Sequence, residues 1–539
     1  MSRTLRELGI DIAPEEDTPL VRRLVDVIEK LAAEIDRLKG LPELPRRPPS
    51  PSSLQDDAGP PSQQQLRAER KKNRRKRRRP KGHKRSKFKG LQIGRTEVVQ
   101  PDEIPAGARL LGYKSFIIQE LQFEPINIRY RRARYQLPDG RVITAPRPAH
   151  LRGQFGPTLR CFVLHQYYHN QVTGPLIQQQ LADLGISISS GQISRMLTEG
   201  HEAFHQEKDQ LLPTAREISK YFQTDDTTAR HQGRNGHTLH IGNEFFASFF
   251  TTESKSRVNF LEILRAPYTD YVLGGDAMFY LECSNFPKRL RTRIESLLED
   301  QTWTWASTAD WNQQLDEWQI THADHRQMLT EAALWGSLMD HELYVDQPLL
   351  SDDAAQFKLL GYAHALCWLH AERHVARLIP LNAREQKAYD HTRDAIWHYY
   401  QQLKAYRDQP TRRKRQWLER RFDQLFLSRT GWDELNQVLR TIHEKKAELL
   451  LVLEHPELPL HNNLSENDIR QFAKIRKISG STRSDDGKRC RDTFLSLKTT
   501  CRKLKVSFWH FLRDRIQALN NILPLTELMR RAANLATSQ

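Results

Sequence analysis

The sequence predicts a mixed α/β core, interrupted by a large all-α insertion and preceded by a short coiled coil and a disordered basic arm. Three observations predict it. From Tyr221, the stretches YFQTDDTTAR, HTLHIG and FFASFFTT read as antiparallel strands, with turns at Asn235-Gly236 and Gly242-Asn243. SRVNFLEILR then reads as a short amphipathic helix, ELYVDQPLLSDD as a further strand and HALCWLHAERHVARLI as a helix. Residues 383–453 are almost entirely helical by period. Three antiparallel strands, a helix, a strand and a helix is the order of an RNase H-like sheet flanked by helices.

At 539 residues the chain is too long for one ordinary domain, and its 38% apolar content can bury a sizeable core. Mean hydropathy is −0.69, and no apolar run approaches the roughly 18 residues of a membrane helix. Acids at the N-terminus, MSRTLRELGIDIAPEED, occupy the place where a signal peptide needs its apolar stretch. The five cysteines, Cys161, Cys283, Cys367, Cys490 and Cys501, form no CxxC pair. That argues against a disulfide scaffold and a zinc finger, and for a reducing compartment.

Charge separates one segment from the rest. The formal net charge is +17, and residues 67–89 carry fifteen Lys or Arg against one Glu. A nearly neutral protein thus bears one arm suited to a polyanion.

The elements follow in order. Residues 1–40 hold a helix in which Val21, Ile28 and Ile35 alternate with Leu24, Leu31 and Leu38, the seam of a short parallel coiled coil. A single amphipathic helix packing on its own domain fits the same pattern. Residues 41–90 begin with a Pro/Ser-rich linker over 41–63 and end in the arm, whose densest run is Arg74, Arg75, Lys76, Arg77, Arg78 and Arg79. Dense positive charge repels itself and favours phosphates, so nucleic-acid binding without sequence preference is expected there. Residues 91–150 are strand-like, with a hairpin signal at Tyr135–Ile143 around Pro-Asp-Gly.

Residues 151–215 are helical. PLIQQQLADLG ends at Gly185, and ISISSGQISRMLTEG restarts after Ser189 or Ser190 as N-cap. This spacing is that of a helix-turn-helix, with Gln192, Ser194 and Arg195 facing a groove; a helical hairpin without a DNA role fits equally. The core occupies 216–382 and the helical insertion 383–458. Two apolar stripes run through the insertion: Ile396, Tyr399, Leu403 and Tyr406, then Trp417, Leu418, Phe422 and Leu425. Residues 459–539 open with a helix capped by Asn462 or Asn463 and add one or two more helices.

Acids stand at three element ends. Asp225 and Asp226 close the first core strand, Asp352 and Asp353 close a later strand, and Glu466 sits in the first turn of a helix. Singly, each has an ordinary explanation in turn chemistry or the helix dipole. Jointly they fall on elements that an RNase H-like sheet brings together. Three converging carboxylates can hold two divalent ions, and Mg²⁺ suits oxygen ligands while keeping positions open for phosphate.

TDDTTARHQGRNGHTLHIGNEFFASFFTTESKSRVNFLE, LLSDDAAQF, HALCWLHAERH and HNNLSENDIRQFAKIRKISGSTRS resemble the bacterial insertion-sequence transposases of the sixty-six type, of the DDE class, over roughly residues 150–515. The resemblance implies a DNA transposase that binds the terminal inverted repeats of its own element, cuts 3′ ends with water and joins them to target DNA. It implies a homodimer or higher oligomer on DNA, with accessory proteins of the same element as candidate partners. The location implied is the bacterial cytoplasm at the nucleoid, with no membrane partner. The family's Asp-Glu-Thr falls on Asp225-Asp226-Thr227, its Asp-Gly-Tyr on Asp352-Asp353-Ala354, and its glutamate on Glu466, with Arg470 one turn on. Asp225, Asp352 and Glu466 are then the catalytic residues and ligands of two Mg²⁺ or Mn²⁺ ions. Asp353 stands where the family has glycine, which leaves the choice between Asp352 and Asp353 open. Residues 91–150 hold no cysteine where the family carries a zinc-binding segment, so no zinc is expected.

Arg470, Lys474 and Lys477 share a helical face with Glu466 and are candidate phosphate contacts beside the acids; a plain charged surface reads equally well. Trp368 and His370 are expected in the core and behind the site, Cys367 as a buried apolar filler. His231, His237 and His240 lack metal-ligand spacing. Two other readings compete with the transposase: a non-catalytic DNA-binding protein, such as a decayed transposase or repressor, and an RNase H-like nuclease or resolvase that cuts without joining.

Overall fold

The computed structural model describes residues 92–103, 108–148, 153–299, 301–343, 347–358 and 363–537. The expected coiled coil at 20–39, the linker at 41–63 and the arm with Arg74–Arg79 lie outside them.

The hairpin forms as β1 (Arg134–Gln136) and β2 (Val142–Thr144), joined through Pro138-Asp139-Gly140. A helical region follows: α1 (Pro157–Leu164), α2 (Gly174–Asp183), α3 (Ser190–Thr198), α4 (Glu202–Asp209) and α5 (Leu211–Ile218). Of the two candidate caps Ser189 is used, its hydroxyl accepting from the Gln192 amide, and Gly185 leaves α2 with φ +77.

Five strands then build the central sheet. β3 (Phe222–His231), β4 (Arg234–Gly242) and β5 (Ala247–Thr252) are antiparallel neighbours. β8 (Leu349–Ser351) lies parallel to β3, and β9 (His364–Leu366) parallel to β8. The order is β5-β4-β3-β8-β9. The first turn is not where Asn-Gly suggests. Gln232 and Gly233 make it, both with positive φ (48 and 77), and Asn235-Gly236 is paired within β4. Gly236 serves a close approach instead: a Cβ there would stand 2.6 Å from the Thr252 carbonyl oxygen.

Between β5 and β8 the chain forms α6 (Arg257–Arg265), β6 (Tyr271–Leu273), α7 (Gly275–Cys283), α8 (Lys288–Leu298), β7 (Trp303–Trp305), α9 (Thr308–Glu317) and α10 (Ala323–Asp340). After β9 come α11 (Trp368–Ala376), α12 (Ala383–Asp408), α13 (Arg412–Phe426), α14 (Asp433–His443) and the short α15 (Lys446–Leu449). The insertion stripes are buried as expected except at Trp417, whose exposure is 45%. It precedes the buried Leu418 and falls just off a stripe spaced by four, 418, 422 and 426. α16 (Asn463–Ser479), α17 (Asp485–Lys503), α18 (Phe508–Gln517) and α19 (Leu525–Thr537) close the chain, so the tail holds three helices after α16 rather than one or two.

Three apolar clusters organise these elements. One joins the N-terminal helices, α6–α10 and α17–α19. A second lies within the insertion and under β9. The third is small and positions the site: Ala229, Ala247 and Phe249 of the sheet meet Ile469, Phe472 and Ile475 of α16 and Leu495 of α17. On α16 these residues fall at helical spacing with Ser465 and Asp468, which makes one buried stripe. Among the described residues no helix is long and apolar enough to cross a membrane.

Candidate active site

Strand alternation separates the two acids of the first pair. Asp225 is on the same face of β3 as Ala229, which packs against α16, and Asp226 is on the opposite face. There Asp226 meets Lys255 (Nζ to Oδ2, 2.9 Å) and accepts from Gln356 Nε2 at 2.5 Å. Asp353 is likewise occupied, with Lys358 Nζ at 2.7 Å from Oδ1 and Lys445 on Oδ2. Burial alone would raise the Asp353 carboxyl, but the hydrogen bonds and charges of these two lysines hold it below the usual range. Asp352, immediately after β8, takes no such pair among the described residues and accepts from the Ala354 amide at 3.3 Å.

The charges of Asp352 and Glu466 both reach Asp225. Burial pushes the Asp225 carboxyl up to about 7; a hydrogen bond from the Asp226 amide works against this, while the charges of Asp352, Glu466 and Asp226 add to it. Glu466 Oε2 lies 3.3 Å from Arg470 Nη2. Its Oε1 is buried without a hydrogen bond among the described residues and lies 3.7 Å from Arg373 Nη2 and 3.9 Å from His370 Nε2. Burial, then the Arg373 charge, lowers His370, against the pull of Glu466 and Asp352.

A buried polar network holds the glutamate helix to the sheet. Asn462 begins α16 without capping it; its side-chain amide instead donates to the Thr224 carbonyl at 2.7 Å, one residue before Asp225. His240 sits directly across from Asp225 in the β3–β4 register. Its Nδ1 is 2.6 Å from Ser465 Oγ and its Nε2 3.3 Å from Asp468 Oδ2. Asp468 also pairs with Arg502 Nη2 at 2.6 Å and Lys503 Nζ at 2.7 Å. Burial would raise Asp468, but the bond from His240 and the Lys503 charge overcome it and bring its carboxyl down to about 2.

Sequence reasoning missed Asn462, His240, Ser465, Asp468 and Lys503 as positioning residues. Three of these stand within the motif HNNLSEND around Glu466, a signal that polar residues there do more than open a helix. Cys367 is more than an apolar filler: it is buried, but its sulfur accepts from the Asn462 amide at 3.3 Å. Trp368 is core, its indole donating to Leu449.

The basic candidates separate. Arg470 pairs with Glu466, whereas Lys474 and Lys477 are exposed. Arg476 turns back to Thr228. Gln192 is half-buried and accepts from the exposed Arg195 at 3.0 Å; with Ser194 they lie on the surface of α3.

Residues 294–490 match the sequence profile described as Transposase IS66 family. That stretch contains Asp352 and Glu466, and Asp225 precedes it. An uncharacterized protein, y4jO, of Sinorhizobium fredii is 41% identical over 298 residues, which is 55% of this chain and 91% of that protein. Relatedness over nearly the whole of y4jO, together with the matching profile, shows that the chain belongs to the IS66 family of transposases.

Proposed function

We propose that the protein is an insertion-sequence DNA transposase with an RNase H-like core, and that Asp225, Asp352 and Glu466 hold two divalent ions, Mg²⁺ or Mn²⁺. The observation that carries this reading is the accumulation of acid at one place: a carboxyl raised by burial and by two neighbouring carboxylates. The donor set fits the ions, since it offers hard oxygen ligands and a buried Glu466 oxygen without a hydrogen bond among the described residues. When bound, two such ions stabilise the attacking and leaving oxygens of an in-line displacement.

The chain's own residues do the rest. Asp225 presents its carboxylate from a sheet whose register is set by the β3–β4 pairing, and Asn462 and His240 hold α16, and with it Glu466, against that strand. Arg470 and Arg373 stand beside Glu466, where they can meet DNA phosphates. The reaction consists of two phosphoryl transfers. Water attacks the phosphodiester at the element's end and frees a 3′-hydroxyl. That hydroxyl then attacks a target phosphodiester, whose own 3′-oxygen leaves. Terminal inverted repeats and target DNA are the partners, engaged by Arg74–Arg79, Gln192, Arg195, Arg470, Lys474 and Lys477 in a homodimer or higher oligomer. Accessory proteins of the same element are candidate partners, and the nucleoid is the proposed location.

A supercoiled donor plasmid carrying the inverted repeats, with Mg²⁺ or Mn²⁺, tests the reading. Wild type should give nicked ends and joined products. Asp225→Asn, Asp352→Asn and Glu466→Gln should each shift terminal-repeat DNA normally and give neither product. Transposition at wild-type level by Glu466→Gln overturns that residue's role. Cleavage without joining by wild type favours the nuclease, and binding without cleavage favours the non-catalytic DNA-binding protein.

A further inference from the structure

We propose that Cys367, His370 and Glu466 form a second, softer metal site, fitted to Zn²⁺, whose occupation draws Glu466 out of the acidic cluster and inhibits the enzyme. The inhibitory half rests on the function proposed above; the binding half does not.

Cys367 precedes α11 and His370 falls in its first turn, three residues on, so the two side chains share one side of the helix. Glu466 comes from α16, and the two helices are tied at this spot because the Asn462 amide donates to the Cys367 sulfur. One ligand atom from each of the three residues lies within 4.8 Å of the others. A tetrahedral zinc with bonds of about 2.0–2.3 Å holds its ligand atoms roughly 3.5 Å apart. Contraction by about 1 Å therefore closes the site, a movement within reach of side-chain rotation.

The donor chemistry selects the metal. Sulfur, imidazole nitrogen and one carboxylate oxygen are ligands for zinc, whereas magnesium takes oxygen. Two atoms of the cluster are already short of partners: Glu466 Oε1 and His370 Nδ1 are buried without hydrogen bonds among the described residues. Arg373 donates to His370 Nε2 at 3.0 Å, so that nitrogen is unprotonated and its lone pair becomes available to a metal once Arg373 swings away. Arg373 and Arg470 oppose a cation, but their side chains are 45% and 52% exposed and can turn to water at small cost. The site is reachable from outside. A cavity of about 200 Å³ leads to Cys367 and His370 from the insertion side, between His374 and the α14 residues Gln437 and Thr441. As the sulfur–metal bond forms, the thiol proton passes to solvent.

Cobalt is the probe, because a thiolate ligand gives it a charge-transfer absorption that oxygen ligands do not. The full chain carrying Asp225→Asn and Asp352→Asn, which disables the acidic site, is titrated with Co²⁺ and then with Zn²⁺. One equivalent of tetrahedral, thiolate-bound cobalt is expected, displaced by zinc. Cys367→Ser should abolish the absorption, and His370→Gln should weaken binding at least about tenfold. Should Cys367→Ser fail to fold by circular dichroism, His370→Gln decides. In the plasmid assay, micromolar Zn²⁺ should inhibit the Mg²⁺-supported reaction of wild type, a chelator should restore it, and Cys367→Ser should resist. Absence of thiolate–cobalt absorption, or equal zinc inhibition of Cys367→Ser, overturns the site. Thiolate–cobalt absorption in a protein that never cleaves DNA leaves the metal site standing and removes the proposed catalysis instead.

Discussion

Asp468→Asn is the sharpest structural test of how the glutamate helix is held. The substitution keeps shape and removes a charge from a side chain that is 2% exposed. It takes the counter-ion from Lys503, 2.7 Å away and itself buried, and weakens the tie to His240. Two magnitudes compete. The carboxyl moves from 3.8 to about 2 in the folded protein, and at about 1.4 kcal/mol per unit this contributes roughly 2 kcal/mol. Stranding a buried ammonium costs more, about 3–5 kcal/mol. The second dominates at neutral pH, so a loss of about 3 kcal/mol is expected in urea unfolding at pH 7. The sign of the pH effect follows from a depressed folded-state value. The stabilisation is fully present above about 4 and disappears as pH falls toward 2, so the gap between wild type and variant should narrow across that window. Replacing Lys503 by Met in the same chain should recover much of the loss, because the pair is then removed whole. An Asp468→Asn protein as stable as wild type at pH 7, or a gap unchanged from pH 4 to 2, refutes the network.

Asp226→Asn and Asp353→Asn should leave plasmid cleavage within a few fold of wild type and cost about 0.5–1 kcal/mol of stability each, because these acids serve lysines rather than the cluster; loss of cleavage equal to that of Asp225→Asn would reverse the assignment within the pair. Since Asp225 keeps its proton up to about 7, Mg²⁺ affinity measured calorimetrically should rise with pH through 7, by up to about tenfold per unit below it; a pH-independent constant would contradict the raised carboxyl. Asn462→Ala should leave terminal-repeat binding intact and slow cleavage, having released α16 from the Thr224 carbonyl; unchanged rates would show the tether to be structural only. Deleting residues 67–89 should flatten the salt dependence of DNA binding while end preference survives, by about 0.9 in the log–log slope for each phosphate no longer neutralised; an unchanged slope would assign the arm another role.

Local pattern and long-range contact divide what the sequence discloses. β3, β4 and β5 are readable from strand-like residues bounded by turn signals, and α12 and α13 from stripes at helical spacing. The Asn-Gly dipeptide misplaces the first turn because Gly236 answers to the approach of Thr252 from the next strand, not to its own backbone. β9 reads as part of the following helix, since a three-residue apolar strand running into Cys-Trp-Leu has no period of its own. Residues 266–343 yield no elements by pattern: α10 buries side chains on nearly all sides, from Leu329 to Leu338, and so shows no stripe. Asp225, Asp352 and Glu466 are nominated by expected places at element ends and by family resemblance, but Asp225 lies inside β3, which runs on to His231, and not at its end. The motif HNNLSEND marks some of the groups that hold them, but their partners leave no local signal, because His240 meets Ser465 across 225 residues and Asn462 meets Thr224 across 238.

The division within each Asp-Asp pair bears on purpose. A carboxylate kept for stability is given cations, as Asp226 is given Lys255 and Asp353 is given Lys358 and Lys445. Asp225 instead has two more acids for neighbours, and its proton is retained to about 7 in consequence of burial and of their charge. Such an arrangement costs stability in the folded chain: between the unfolded value of 3.8 and about 7 the folded state binds the extra proton, so rising pH through that window weakens folding. Arg373 and Arg470 flank Glu466 without closing on it in short pairs, at 3.7 and 3.3 Å, and both remain half exposed. A fold that places lysines beside Asp226 and Asp353 and, among the described residues, none on Asp225 is what the proposed divalent-ion site requires. One such ion would offset two carboxylates and still leave coordination positions for phosphate.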